Sequence, residues 1–264
     1  MPLLLLHPNG FCAGLFDPLA RQLRGRFHPV GVDLRAHGGT DAPTEVADYA
    51  FDLLAGDVLA VLDHLGLDHV VALGQSLGGG VATLVDRLRP GLIGKLLLCE
   101  AIAFSHVDHP MRERGQGPGN GGNFMADIAR KRREVWPDRE TVLRSYGSRP
   151  PLDELAPEAL EAYVRWGFVD RPDGRVELAC PPAAEATIFE VSSYEQGALQ
   201  AWNHLGSLTA SATVVCGDRS DLPPAWFAAQ AERAGARLVT VAGGHFFLQE
   251  DTARAERFVL DYLG

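Results

Sequence analysis

Short hydrophobic runs alternate with segments of helical periodicity along most of this sequence. Within residues 50–65, apolar side chains recur every three or four positions, which predicts a helix that ends near Gly66, and a second helix is predicted to begin near Ser76. Six runs are predicted as strands, at residues 3–7, 27–33, 70–74, 95–99, 213–217 and 237–241. The early runs are apolar at nearly every position, which is typical of a parallel sheet covered by helices on both faces. We therefore expect an α/β fold with a mostly parallel, doubly wound sheet.

The alternation of strands and helices fails between residues 101 and 205. Helices are predicted at 125–135, 139–146 and 158–166, with no strand between them. We interpret this stretch as a helical lid, which divides the chain into a first core part (1–102), the lid (103–205) and a second core part (206–264). The stretch GQGPGNGGN at 115–123 predicts a mobile loop, because glycine allows many backbone conformations. A phosphate cradle is the alternative, although the stretch follows no predicted strand.

Composition narrows the function classes. The 264 residues are 46% hydrophobic and 22% charged, which is typical of one principal soluble domain. The net charge of −10 disfavours nucleic acid as a partner, and only Arg130–Arg133 forms a local basic run. No apolar run is long enough for a signal peptide or a membrane span, so we expect a cytoplasmic protein. The four cysteines have no metal-like spacing, so neither disulfides nor a bound metal are expected.

Ser76 is the candidate nucleophile. It stands at the centre of Gly74-Gln75-Ser76-Leu77-Gly78, after the apolar run HVVAL and before a predicted helix, as in a nucleophile elbow. The tight turn requires small residues two positions before and two positions after the serine, and Gly74 and Gly78 meet that requirement. A glycine-rich helix start with an incidental serine would not explain this placement.

A serine nucleophile requires a base and an acid that orients the base. His245 follows the last predicted strand, in VTVAGGHFF, and fits the chain order serine, acid, histidine. Two carboxylates compete as the acid. Asp221 lies in the loop after the penultimate strand and is favoured, with neighbouring Asp218 a weaker candidate. Glu100 ends the apolar run KLLLCE and is the alternative, because burying it there would be costly unless another group paired with it.

An attacked carbonyl also needs backbone N–H groups to stabilise its oxyanion. Leu77, directly after the nucleophile, is predicted to supply one. The other is expected from HPNGF at residues 7–11, where the first strand breaks and Pro8 has no N–H to offer. Asn9 is therefore the first candidate, with Gly10 and Phe11 as alternatives. An ordinary strand-to-helix turn would also explain this composition.

With these motifs the chain resembles the α/β-hydrolase superfamily, in its serine-nucleophile, lid-bearing branch. The matching stretches are HPNGF, DLRAHGGT at 33–40, GQSLGG, GDRSD and GGHFF. The resemblance implies structural roles for Arg35 and His37 and a lid inserted after the run at 95–99, the family's sixth strand. It also implies an acid that in some members follows that strand, as Glu100 does.

The chain departs from the superfamily at its first strand. Members usually carry a hairpin of early strands before it, whereas here it begins at Met1, so we expect a minimal version of the fold or a start further upstream. An exposed sheet edge at Leu3 would then invite pairing, which leaves a homodimer open.

The leading interpretation is a cofactor-free serine hydrolase that acts on an ester or thioester of a small-molecule acyl substrate. Serine at the elbow disfavours the epoxide hydrolases and haloalkane dehalogenases of this fold, which need a carboxylate nucleophile. An acyl-CoA thioesterase, which Arg130–Arg133 would serve by binding phosphates, a carbon–carbon bond hydrolase or a perhydrolase remain alternatives, as does a non-catalytic ligand receptor. Aromatic residues are candidates for an acyl pocket or for the core of the lid: Phe11, Phe104, Phe124, Trp136, Trp166, Phe168, Phe189 and Phe246.

Overall fold

All six predicted strands are confirmed in the computed structural model, which describes residues 1–105 and 123–264. The first four are β1 (Pro2–Leu6), β2 (His28–Val32), β3 (Val70–Gln75) and β4 (Ile93–Cys99), and after three short strands come β8 (Ser211–Gly217) and β9 (Arg237–Val241). They form one parallel sheet in the order β2-β1-β3-β4-β8-β9.

The sheet is covered on both faces, as its apolar runs predict. Along β1, Leu3 and Leu5 face one core while Leu4 and Leu6 face the other, which follows from the two-residue period of a strand. One core is built with α2 (Phe51–His64), α3 (Leu77–Leu88) and α9 (Pro224–Ala234). The other is built with α1 (Asp17–Leu23), α10 (Phe247–Glu250) and α11 (Thr252–Leu263).

The expectation of an exposed edge at β1 is wrong. β2 pairs in parallel along the whole of β1, from Pro2 opposite His28 to Leu6 opposite Val32, so β1 is an inner strand. The edge strand on this side of the sheet is β2. Pro29 in β2 lacks a backbone N–H, which disfavours pairing with another chain. An exposed edge at Leu3 therefore gives no reason to expect a homodimer.

Between β4 and β8 the described residues 123–205, which we call the insertion, contain both helices and strands. Its elements are α4 (Phe124–Arg130), β5 (Val135–Trp136), α5 (Arg139–Tyr146), α6 (Pro157–Trp166), β6 (Phe168–Asp170), β7 (Val176–Leu178), α7 (Pro182–Ser192) and α8 (Gln200–Leu205). The three strands form an antiparallel sheet in the order β5-β7-β6. The prediction of a strand-free segment is therefore wrong. The division of the chain at residues 102 and 205 stays a prediction.

The first helix of the insertion is shorter than its predicted range of 125–135. It ends at Arg130, and Val135 and Trp136 instead pair with Glu177 and Val176 across the small sheet, since β-branched and aromatic side chains suit a strand. Asn123 caps this helix by accepting hydrogen bonds from the amides of Met125 (2.9 Å) and Ala126 (3.2 Å). The rest of the predicted glycine-rich loop lies outside the described residues.

Candidate functional site

Ser76 lies at the turn between β3 and α3 in a strained backbone conformation. Its φ is 54° and its ψ is −118°, a region that residues with a Cβ atom rarely adopt. A Cβ at Gly74 would overlap the backbone of Gly78 and Gly79, and a Cβ at Gly78 would overlap the backbone of Leu6. The two glycines therefore allow the close approach that places Ser76 on a sharp turn beside the end of β1.

Glu100 and His245 form a pair at the same edge of the sheet. Glu100 directly follows β4, is fully buried and also has a positive φ, of 52°. Its carboxylate accepts hydrogen bonds from the Gly217 amide (2.7 Å) and the Ser220 hydroxyl (2.5 Å), and it lies 3.1 Å from His245 Nδ1. These donors compensate its burial, and the carboxylate orients the imidazole through Nδ1.

Asp221, the acid favoured from the sequence, does not contact His245 in this structure. Its side chain is exposed, while neighbouring Asp218 accepts a hydrogen bond from the Gly243 amide at 2.9 Å. The loop after β8 therefore contributes the Gly217 amide and the Ser220 hydroxyl to Glu100 rather than a carboxylate to the histidine. The geometry brings together the alternative pair, Glu100 and His245.

Gln75 and Gln249, which the sequence analysis did not single out, connect the serine turn with the histidine loop. Both are buried, and their side-chain amides bond reciprocally at 2.9 and 3.1 Å. Gln75 Nε2 also donates to the backbone carbonyl of His245 at 3.0 Å. The residue preceding Ser76 thereby fixes the backbone of His245, a contact across 170 residues of sequence that no local pattern indicates.

Of the candidate oxyanion donors, two are already engaged inside the protein. Gly10 N donates to His37 Nε2 at 3.0 Å, and Phe11 N donates to the Pro8 carbonyl at 3.3 Å. The amides of Asn9 and Leu77 have no hydrogen-bond partner within residues 1–105 and 123–264. Leu77 is the first residue of α3, so its amide has no acceptor one turn earlier in the helix and lies at the positive end of the helix dipole.

His7 sets the direction of the Asn9 amide. Its Nδ1 lies 2.8 Å from the Pro8 carbonyl, which can only accept, so Nδ1 carries the proton and Nε2 accepts from Leu34 N at 3.0 Å. The Pro8 carbonyl also accepts from Phe11 N. Because C=O and N–H point in opposite directions in a trans peptide, holding this carbonyl turns the Asn9 N–H away from the groups that hold it.

His7 and His37 are buried and uncharged, which predicts a loss of stability in mild acid. Burial lowers the pKa of His7 to about 4 and that of His37 to about 3, from 6.5. The unfolded chain binds these protons below pH 6.5 and the folded chain does not. These two histidines therefore cost no stability above pH 6.5. The free energy of unfolding falls as the pH decreases from 6.5 towards the pKa values of the folded state. At pH 5 each histidine costs about 2 kcal/mol of unfolding free energy.

Urea unfolding at pH 8 and pH 5 measures this cost. His37→Gln should be less stable than the wild type at pH 8, because the imidazole that packs against His7 and accepts from the Gly10 amide is lost. It should nevertheless lose about half as much stability between the two pH values. His64→Gln, at an exposed position, is the matched control and should follow the wild type. An equal acid loss in His37→Gln and the wild type would contradict the assignment.

The predicted pocket residues lie in different places. Phe11 and Phe246 pack together, with ring centroids 5.0 Å apart, and Phe246 lies 5.0 Å from His245. Trp136 and Phe168 are buried in an apolar cluster that also contains Phe246 and against which Phe11 packs. Phe104 stacks on Trp226 at 4.6 Å, and Phe124 is 55% exposed. Of these rings, Phe246 packs directly against the histidine, and Phe11 packs against Phe246.

The Arg130–Arg133 run does not form a single basic face. Arg130 pairs with Asp127 and Glu190, and Arg133 lies over the Trp136 ring at 4.6 Å. Arg132 points inward to Glu185, to Tyr146 and Tyr163, and to the HPNGF loop (residues 7–11). This inward role of Arg132 was not predicted from the sequence, because its partners are distant in the chain.

Two kinds of feature are absent from residues 1–105 and 123–264. None of their helices is both long enough and apolar enough to cross a membrane. Nor do their His, Cys, Asp and Glu side chains form a group of three or more that could hold a metal ion. All four cysteines are buried and free.

Curated proteins similar to this chain match it over part of their length. Epoxide hydrolase 4 of Mus musculus is 35% identical over 86 residues, which are 33% of this chain and 23% of that protein. The AB hydrolase superfamily protein YisY of Bacillus subtilis is 34% identical over 111 residues, 41% of either chain. The Serine hydrolase-like protein of Danio rerio is 27% identical over 183 residues, 67% of this chain and 56% of that protein. The chain therefore spans less than two thirds of each relative.

Solved structures share the whole architecture at low identity. The E-2-(Acetamidomethylene)succinate hydrolase has a TM-score of 0.80 at 18% identity, over 100% of this chain and 92% of that chain. A thermophilic esterase from Thermogutta terrifontis has a TM-score of 0.70 at 21% identity, over 100% and 89%. These likenesses show the α/β-hydrolase fold. A family model for alpha/beta hydrolases also matches residues 3–259, and the chain belongs to the alpha/beta hydrolase family.

Proposed function

We propose that this protein is a serine hydrolase that cleaves a carboxylic ester or thioester through an acyl-enzyme. One observation carries the proposal: a serine with φ of 54° follows β3, and a buried glutamate bonded to a histidine follows the adjacent strand β4. Strained backbone of this kind persists where the surrounding structure enforces it, and it is concentrated at active sites. The proposed triad is Ser76, His245 and Glu100, with Glu100 in place of Asp221.

The proposed reaction follows from the atoms that are available. Glu100 accepts a hydrogen bond from the Nδ1–H of His245, which leaves Nε2 as the base that takes the Ser76 proton as Oγ attacks the acyl carbon. The N–H groups of Leu77 and Asn9 stabilise the oxyanion. His245 then returns the proton to the departing alcohol or thiol, and water hydrolyses the acyl-enzyme by the same steps.

The nature of the nucleophile separates this reaction from that of one relative. Epoxide hydrolase 4 is similar over 86 residues, but opening an epoxide through an ester intermediate requires a carboxylate at the elbow. This chain has a serine there. The Arg130–Arg133 run supports an acyl-CoA thioesterase less than its sequence indicates, because Arg130 and Arg132 form ion pairs and Arg133 lies over Trp136. An acyl-CoA thioesterase remains an alternative.

A substrate screen tests the proposed function. Wild type and Ser76→Ala are assayed with p-nitrophenyl esters from acetyl to decanoyl and with acyl-CoA thioesters of the same lengths. We propose that residues 103–205 form a lid over the site and that Phe11 and Phe246 contact the acyl chain. Esters should therefore be turned over by the wild type alone, with activity that rises and then falls as the chain lengthens. Failure to hydrolyse any ester or thioester would favour the ligand-receptor alternative.

Two variants test how activity depends on the length of the acyl chain. Phe11→Ala removes a ring that packs on Phe246 and should shift the optimum towards longer acyl chains. Phe124→Ala alters a ring that is 55% exposed and should leave the optimum unchanged, contrary to its sequence-based assignment to the pocket. A flat wild-type profile would mean that these rings do not contact the acyl chain.

A further inference from the structure

A largely buried polar cluster within the insertion, formed by Arg132, Glu185, Tyr146 and Tyr163, faces the HPNGF loop. Arg132 forms an ion pair with Glu185 of α7, and its Nη2 donates to the hydroxyls of Tyr163 (2.8 Å) and Tyr146 (3.2 Å). Burial opposes the charge of Arg132, but Tyr163, Glu185 and Tyr146 raise its pKa well above the ordinary value. The guanidinium therefore stays charged while enclosed by protein.

The cluster holds Asn9 and Gly10 from the side of the insertion. The Gly10 carbonyl accepts from the Tyr163 hydroxyl at 3.0 Å and from Arg132 Nη1 at 3.4 Å, and Asn9 Nδ2 donates to the Glu185 backbone carbonyl at 3.0 Å. From the core side, Gly10 N donates to His37. The backbone on either side of the Gly10 Cα atom is thus fixed by opposite parts of the molecule.

Close packing also explains why residue 10 is glycine. Its φ is +78°, and a Cβ there would lie 2.5 Å from Glu185 Oε1 and 2.9 Å from Arg132 Nη1. Only a residue without a side chain adopts this conformation at this distance from the ion pair without strain. The HPNGF loop and the Arg132 cluster therefore fit each other closely.

The arrangement argues against substrate binding by Arg132. Its charge is matched by Glu185, its Nη atoms donate to four protein groups, and only 20% of its side chain is exposed. A buried ion pair contributes little net stability compared with an apolar pair of similar volume. The pair therefore calls for an explanation other than stability.

We propose that Arg132 is a positioning residue through which the insertion fixes the HPNGF loop, so that the Asn9 N–H is held ready for the oxyanion. This inference rests on the proposed function, because it concerns the same oxyanion site. It makes the insertion part of the catalytic apparatus as well as a cover over it.

The same two segments supply a matched control. Arg130, on α4, pairs with Glu190 of α7, as Arg132 pairs with Glu185 of the same helix. Arg130–Glu190, the outer pair, is far more exposed than Arg132–Glu185, the inner pair, since 45% of the Arg130 side chain is accessible. None of the hydrogen bonds of Arg130 reaches the HPNGF loop. Loss of either pair removes an ion pair between the same segments, but only the inner pair contacts Gly10.

The kinetic experiment compares four variants with the wild type on one p-nitrophenyl ester. Arg132→Met/Glu185→Leu replaces the inner pair by apolar side chains and avoids an unpaired buried charge. It should lower kcat by about 10–100-fold with KM within about threefold, because an oxyanion donor is misplaced rather than removed. Tyr163→Phe should cost about tenfold and Arg132→Lys an intermediate amount. Arg130→Met should leave kcat unchanged.

The affinity for a boronic acid, which forms a tetrahedral adduct with the serine, is a second measurement. A general loss of packing away from the oxyanion site would not change this affinity. The affinity should fall in the same proportion as kcat across the inner-pair variants, because the adduct places an oxygen in the oxyanion site. A raised KM with unchanged kcat would make Arg132 a substrate-binding residue and overturn the proposal. An equal loss in Arg130→Met would overturn it as well.

Hydrogen exchange separates this proposal from the proposed function. The peptide that covers residues 7–16 should exchange at least about tenfold faster in the double variant than in the wild type, but not in Arg130→Met. If the wild type hydrolyses neither an ester nor a thioester, the proposed function fails and exchange alone decides whether the cluster fixes the loop. Unchanged exchange in the folded double variant would overturn the proposal.

Discussion

Ser76→Ala should lower kcat by about 10⁴–10⁶-fold and abolish covalent labelling by a fluorophosphonate, while the protein stays folded. The serine hydroxyl is the proposed attacking group, and without it the remaining residues supply only binding and oxyanion stabilisation. His245→Ala should cause a loss of similar size, and the double variant should be little worse than either single one, because the residues act as a unit. Steady-state kinetics and intact-mass analysis measure both effects.

A second serine in the chain provides a demanding control. Ser207 Oγ lies 2.9 Å from His204 Nδ1, and His204 Nε2 lies 3.1 Å from the buried Asp86. This arrangement has a serine, a histidine and an acid, but Ser207 follows α8 and has no positive φ. Ser207→Ala should retain wild-type turnover and labelling. A label on Ser207, or mild and additive losses at Ser76 and His245, would contradict the proposed triad.

The core of the fold was predictable because its signals are local. In β1 and in residues 70–73 of β3, apolar side chains are buried on both faces of the sheet, and such runs suit a central position in a parallel sheet. The serine turn was equally visible, since the spacing of Gly74 and Gly78 follows from steric exclusion by neighbouring backbone. Local signals were less clear near Val135 and Trp136. The helical periodicity there predicted a helix that extends beyond Arg130, where α4 ends, and the two residues form a strand instead.

The contacts that organise the candidate site were harder to predict, because they join distant residues. Arg132 and Glu185 are 53 positions apart, and a run of four basic residues is ordinarily a solvated face. The reciprocal amide pair of Gln75 and Gln249 spans 174 positions. Patterns along the chain indicate which face of an element is apolar, but not which polar group meets another across the sheet.

The choice between two acids shows the same limit. Asp221 and Glu100 both follow strands, so sequence position alone cannot separate them. The contacts that favour Glu100 are made by the Gly217 amide and the Ser220 hydroxyl, which come from the loop after β8 and bind a carboxylate that follows β4. One signal was present in the sequence: a glutamate directly after an apolar strand needs a partner when it is buried.

Glu100→Gln is expected to lower kcat by about 10⁴-fold without unfolding the protein, whereas Asp221→Asn should stay within a few-fold of the wild type. The glutamine oxygen can still accept from Gly217 or Ser220, which preserves packing. Its amide nitrogen would donate to His245 Nδ1, so the imidazole proton moves to Nε2 and the base is lost. Thermal unfolding of both variants confirms that the fold is intact, and kcat is compared on the best ester. If Asp221→Asn shows the severe loss and Glu100→Gln keeps more than about a tenth of the activity, the acid is Asp221, and the Glu100–His245 pair only supports the loop.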